Sequence, residues 1–75
     1  MRLPDAIEIR HDVMMGKPCI RGTRIPVYLI LQKIAAGESQ AALLEAYPQL
    51  KAQDIMACLQ YAATLASEEV VLSQA

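Results

Sequence analysis

The sequence predicts a mainly α domain, three helices behind a short N-terminal β segment. Three observations predict it. Apolar residues recur at helical spacing through the middle and back of the chain, glycine and proline fall where those runs should stop, and the front third alternates and turns instead. The 75 residues suffice for one domain. It divides into a β-type segment over 1–25, a three-helix unit over 26–66 and a tail over 67–75.

Ile7-Glu8-Ile9-Arg10 has the two-residue period of a half-buried strand. Met14-Met15-Gly16-Lys17-Pro18 reads as a turn, and Cys19-Ile20-Arg21 as a second short strand broken by Gly22. Helix one is expected from Pro26 to Ala36, because proline fits a first helical turn. Val27, Ile30, Leu31 and Ile34 give it one apolar face, and Gly37 stops it. Ser39 caps a second helix from Gln40 to Tyr47, which buries Leu43, Leu44 and Tyr47 and ends before Pro48. Helix three starts near Ala52 on the stripe Ile55, Cys58, Leu59, Ala62 and Leu65 or Ala66. Residues 67–75, with Val70-Val71-Leu72, either prolong it or fray. A helix before two helices joined by about three residues is the pattern of a helix-turn-helix unit.

A chain this short buries only about 60% of its unfolded surface, so it needs a staple or a partner. Cys19 and Cys58 stand far apart, and His11 is the sole histidine, so neither a disulfide framework nor a metal site is expected, and no cofactor. Self-association remains, in the form of a homodimer that engages the Ile7–Arg10 strand, which has no obvious mate of its own length. The sequence holds neither a long apolar span nor a secretory signal, and with free thiols this points to a soluble cytoplasmic protein without membrane contact.

The net charge of −1 hides an asymmetry. Residues 1–33 hold six basic against three acidic residues, and residues 34–75 hold Lys51 alone against five acidic ones. The front half suits an anion, either a phosphate backbone or an acidic protein site. His11 beside Asp12 lacks any nucleophile, second carboxylate or metal ligand to complete it, so no catalytic residue, no enzyme and no small-molecule substrate is expected.

The densest segment runs Gly16-Lys17-Pro18-Cys19-Ile20-Arg21-Gly22-Thr23-Arg24-Ile25-Pro26-Val27. Together with Gly37-Glu38-Ser39, Tyr47-Pro48-Gln49-Leu50, Asp54-Ile55 and Tyr61-Ala62-Ala63, it resembles the family catalogued as domain of unknown function 433, small prokaryotic proteins likened to VapB-type antitoxins. The resemblance covers roughly residues 7 to 66. It implies a homeodomain-like helix-turn-helix with an N-terminal β segment, a dimer, and an operon shared with a nuclease-like toxin. The chain departs from the family pattern at Lys51, where threonine is usual. That loss of a cap should weaken the start of helix three by about 1 kcal/mol.

Arg21 and Arg24 flank Gly22, where the chain turns sharply or meets a partner closely. With Lys17 they form the expected partner- or phosphate-binding set. The alternative is that one arginine bridges an acid of its own fold, such as Glu45 or Asp54. Lys51, Gln53 and Ala57, at the start or outer face of helix three, are the expected DNA-binding set; the alternative is a solvated face. Cys19 and Cys58 read as small core residues. Met14 and Met15 read as cover for an apolar patch or a dimer contact. Tyr28, Tyr47 and Tyr61 read as packing. The expected function is therefore an antitoxin-like protein that neutralises a nuclease-type toxin encoded nearby and, as a dimer, binds double-stranded operator DNA. A protein-interaction module without DNA affinity is the second expectation.

Overall fold

The computed structural model describes residues 2–68. Two short strands, β1 (Ile7–Glu8) and β2 (Cys19–Ile20), precede three helices, α1 (Val27–Ala35), α2 (Gln40–Ala46) and α3 (Ala52–Glu68). The fold is the expected one. The expectation that Val70-Val71-Leu72 extends α3 or frays lies outside the described residues.

β1 and β2 pair antiparallel, Ile7 opposite Ile20 and Glu8 opposite Cys19. The front strand thus has a mate in its own chain. It is only two residues long, and Ile9 is half exposed rather than part of the ladder. The chain between the strands makes a left-handed turn. Met14, Met15 and Gly16 all have positive φ, at 51°, 56° and 82°, and Met15 stands almost wholly in solvent. After β2 the chain folds tightly back. Ile20 N–H donates to Ile25 O at 2.9 Å, and the Thr23 hydroxyl donates to Ile20 O at 2.8 Å while accepting from Ile25 N–H at 3.0 Å.

α1 begins one residue later than proline chemistry suggests. Pro26 bridges Cys19 in an extended conformation, φ −75° and ψ 144°, so it caps the helix instead of opening it. At the other end, Gly37 (φ 96°) donates to Ile34 O at 2.9 Å and Glu38 N–H to Lys33 O at 3.0 Å. These two bonds make a Schellman stop and satisfy two orphan carbonyls. Ser39 then accepts from Ala42 N–H at 3.1 Å and starts α2. Tyr47 has left the helix, because Pro48 restricts it to extended angles (φ −125°, ψ 91°). Five residues, Tyr47 to Lys51, separate α2 from α3, rather than three.

α3 is the hub, in contact with α1, α2 and β1. The core joins Ile7 and Ile20 of the strands, Val27 and Ile30 of α1, Leu43 of α2, the linking Leu50, and Ile55, Ala57 and Cys58 of α3. Leu31, Ile34, Leu44, Leu59 and Tyr61 close around them. Among the described residues, no helix is long and apolar enough to cross a membrane.

Candidate functional site

The antiparallel register puts Glu8 beside the turn that follows β2, and the turn closes on its carboxylate. Gly22 N–H donates to Glu8 Oε2 at 3.0 Å. Arg21 Nη1 approaches Oε1 at 3.4 Å and Arg10 Nε approaches Oε2 at 3.7 Å. Gly22 has φ 79°, which only glycine adopts without strain, and this conformation aims its N–H at the carboxylate. Arg24 lies two residues further along the same turn. It is exposed and has no hydrogen bond or ion pair among the described residues. Two guanidinium groups, those of Arg10 and Arg21, thus meet one carboxylate, with Arg24 exposed on the same turn. Arg10 and Arg21 side chains remain 47% and 59% exposed.

Arg21 also has a structural duty. Its Nε donates to Asp5 O at 2.6 Å, its Nη2 to Ile7 O at 3.4 Å, and its backbone N–H to Ala6 O at 2.7 Å. It ties the end of β2 to the residues that open β1. The acid it bridges is Glu8, not Glu45 or Asp54. Arg21 further edges a hollow of about 410 Å³ shared with Asp5, Ala6, Gln53 and Asp54. That hollow brings Gln53 together with a residue of the front segment.

Lys17 belongs to a different feature. Its ammonium lies 5.9 Å from the centroid of the Tyr28 ring, close enough for a cation–π attraction. Together with Pro18, Val27, Tyr28, Leu31, Tyr61 and Leu65 it lines an apolar groove of about 290 Å³. Tyr28 and Leu65 stand at the rim, 44% and 43% exposed.

At the start of α3, Lys51 and Gln53 are exposed. Ala57 is not: it is 8% exposed and part of the core. It lies three residues after buried Asp54 and four before Tyr61, so the helix turns it inward with them. The exposed face carries Gln53, Met56 and Gln60 instead. Asp54 caps the helix: its Oδ2 accepts from Lys51 N–H at 3.0 Å, while Lys51 O accepts from Asp54 and Ile55 N–H. This is the returning half of a capping box and offsets the missing threonine.

Two features escaped sequence reading. Glu8 becomes the centre of the arginine turn only through strand register, 13 residues from Arg21. The groove had a signal: the apolar arc of α1 is widened on one side by Tyr28 and Leu31 beyond what Val27 and Ile30 need. Reactive side chains are scarce among the described residues. Burial pushes the Cys58 thiol from 9.0 up to about 11, with the Asp54 carboxylate adding to the rise. Burial also raises Cys19, against the pull of Arg10. Both stay protonated and inert at neutral pH.

The chain matches the family described as Protein of unknown function (DUF433) over residues 7–62. The uncharacterized protein y4eO of Sinorhizobium fredii (strain NBRC 101917 / NGR234) is 45% identical over 51 residues, which are 68% of this chain and 23% of that protein. This chain thus spans less than a quarter of that relative's length. A crystal structure of a DUF433 member protein from Anabaena variabilis ATCC 29413 superposes with a TM-score of 0.77 at 33% identity, covering 84% of this chain and 62% of that one. With the family pattern running from the first strand into the third helix, the chain belongs to the DUF433 family.

Proposed function

We propose that the chain is an antitoxin-like binding domain that docks on an acidic protein partner, a nuclease-type toxin encoded beside it, through the arginine turn. The observation that carries this reading is the pair Arg10 and Arg21 on the single carboxylate of Glu8, with Arg24 exposed and unpaired among the described residues on the same turn. A nuclease that works with metal ions holds them in a cluster of carboxylates. Guanidinium groups pair with carboxylates through two parallel hydrogen bonds. Arginines from this turn would occupy such a site in place of the metals and silence it. The likeness of the family to VapB-type antitoxins supports the same direction.

Operator binding is the second half of the reading, and the exposed face of α3 would carry it. Gln53 and Gln60 suit adenine edges, Met56 a thymine methyl, and Lys51 a phosphate. One observation favours the alternative, an interaction module that leaves DNA alone. Between Lys51 and Glu68 the helix has no cation at all, and phosphate neutralisation supplies most non-specific affinity for DNA.

The test is co-expression with the product of the adjoining reading frame. Co-purification, with loss of nuclease activity in the complex, supports the toxin half. Titration of the upstream DNA at two salt concentrations decides the other: salt-sensitive binding supports operator recognition, and its absence leaves the interaction module.

A further inference from the structure

The hollow between the residues that open β1 and the start of α3 holds hydrogen-bonding groups that the fold leaves free. Its volume is about 410 Å³, and Asp5, Ala6, Arg21, Gln53 and Asp54 line it. We infer that this hollow binds a guanine base, and that the Asp54 carboxylate selects the base by accepting its two Watson–Crick N–H groups.

Asp54 is the one buried charged residue among those described, 8% exposed. Its Oδ2 accepts from Lys51 N–H at 3.0 Å, and its Oδ1 has no hydrogen-bond partner among the described residues. A carboxylate offers about four acceptor sites, and burying it short of partners is costly. Because Asp54 lines a hollow, a ligand can supply the missing donors.

Its neighbours set the charge of that ligand. Arg21 borders the same hollow, yet its ion pair among the described residues is with Glu8, not Asp54. Of the five guanidinium N–H donors, three go to Asp5 O, Glu8 Oε1 and Ile7 O, which leaves one on each terminal nitrogen. A cation in the hollow meets this guanidinium, and an anion meets the carboxylates of Asp5 and Asp54. A neutral group with donors and acceptors side by side meets neither penalty. Gln53, exposed at the start of α3, adds an amide that donates to such an acceptor.

Nucleobases are neutral and carry edges of this kind. Guanine alone sets two donors, N1–H and N2–H, beside one acceptor, O6. A carboxylate matches the two donors together, and an amide N–H matches O6. Adenine and cytosine present a ring lone pair where guanine has N1–H. Uracil and thymine flank a single N–H with two carbonyls. Each of these turns an acceptor toward Asp54. The volume falls within the range of about 300–1,000 Å³ typical of small-molecule sites. In duplex DNA the Watson–Crick edge is already paired, so this site is distinct from operator reading. It fits a free nucleotide or an unpaired guanine in a single strand.

The test titrates the full chain with guanosine, inosine and adenosine 5′-monophosphate at millimolar concentration, followed by backbone amide NMR. The three share sugar and phosphate, so differences report the base. The guanosine nucleotide should shift the amides of Ala6, Gln53 and Asp54. The inosine nucleotide lacks the 2-amino group and should bind on the order of tenfold more weakly, and the adenosine nucleotide more weakly still. Asp54→Asn keeps an oxygen for Lys51 N–H but turns an NH2 group toward the base. It should abolish the preference for guanine over adenine with helical content unchanged. Should that variant fail to fold, Gln53→Leu, at an exposed position, should weaken guanosine nucleotide binding severalfold. A uridine hexanucleotide carrying one guanosine separates the two sources. Tighter binding than the mononucleotide identifies a single strand, and equal or weaker binding identifies the free nucleotide. Equal affinity for the guanosine and adenosine nucleotides overturns the assignment. So does no binding of either, a guanine preference that survives Asp54→Asn, or a Gln53→Leu chain that binds like wild type. Neither Arg10 nor Arg24 lines the hollow, so docking at the arginine turn, tested through those two residues, stands or falls separately.

Discussion

At the scale of single residues, Glu8 and Gly22 hold the arginine turn in shape. A Cβ on Gly22 would meet nothing within 4 Å, so Gly22→Ala tests the backbone alone. Its φ of 79° is the left-handed region that an L side chain resists. We predict a loss of about 1 kcal/mol, read as a fall of about 4–8 °C in melting temperature. A neutral result would mean that the turn relaxes to negative φ and that Glu8 loses its backbone donor. Gly22 was legible from sequence as a sharp turn between two arginines. Glu8 was not, because its place depends on pairing with Cys19 across the sheet, and β-register cannot be read from a strand of two residues. Arg21 shows the same limit. Sequence offers several acids for it to bridge, and only the folded turn selects Glu8, together with the carbonyls of Asp5 and Ile7.

Cys58 gives a prediction at the same scale. Its thiol titrates near 9.0 in the unfolded chain and at about 11 when folded. Between those values the folded state binds a proton that the unfolded state has lost, so stability falls as pH rises. The contribution is fully present below about pH 9 and gone above about pH 11. Urea midpoints measured from pH 8 to 11 should decline, and Cys58→Ala should flatten part of that decline. Buried Cys19 shifts in the same direction and accounts for a remainder.

At the scale of elements, the helix boundaries were the most legible part of the fold, because each rests on one residue with a local mechanism. Gly37 ends α1, Ser39 opens α2 and Pro48 closes it, all by chemistry within four residues of sequence. The opening of α1 was placed one residue early, since the bridge between Pro26 and Cys19 is a tertiary contact invisible to local pattern. The phase of α3 was misjudged at Ala57 for a related reason. Alanine is small enough to sit on either side of an amphipathic boundary, and packing against the other helices decides. The cap of α3 is a testable consequence. Asp54→Ala removes the carboxylate that accepts Lys51 N–H and should cost about 1 kcal/mol, seen as a lower urea midpoint. Lys51→Thr, which supplies a side-chain cap, should recover part of that loss in the double variant. No recovery would mean that the Asp54 carboxylate serves burial rather than capping.

At the scale of the whole molecule, the charge asymmetry visible in the sequence becomes a spatial one. The arginine turn gathers basic residues of the front half, while the long helix of the back half exposes glutamine, methionine and glutamate. The proposed division of labour follows that layout. In that division the arginine turn meets the acidic partner, and the glutamine-bearing face of α3 takes the proposed operator role. The most direct measurement on the central claim is the affinity of the double variant Arg10→Gln/Arg24→Gln for the co-expressed partner protein. Both side chains are exposed, and neither carries the backbone bonds that Arg21 does, so melting should change by no more than about 0.5 kcal/mol equivalent. If the arginine turn is the docking surface, two charge-assisted contacts are lost, each worth roughly 1.5–3 kcal/mol, and Kd should rise on the order of a hundredfold or more. A double variant that melts like wild type and binds the partner just as tightly would contradict the account.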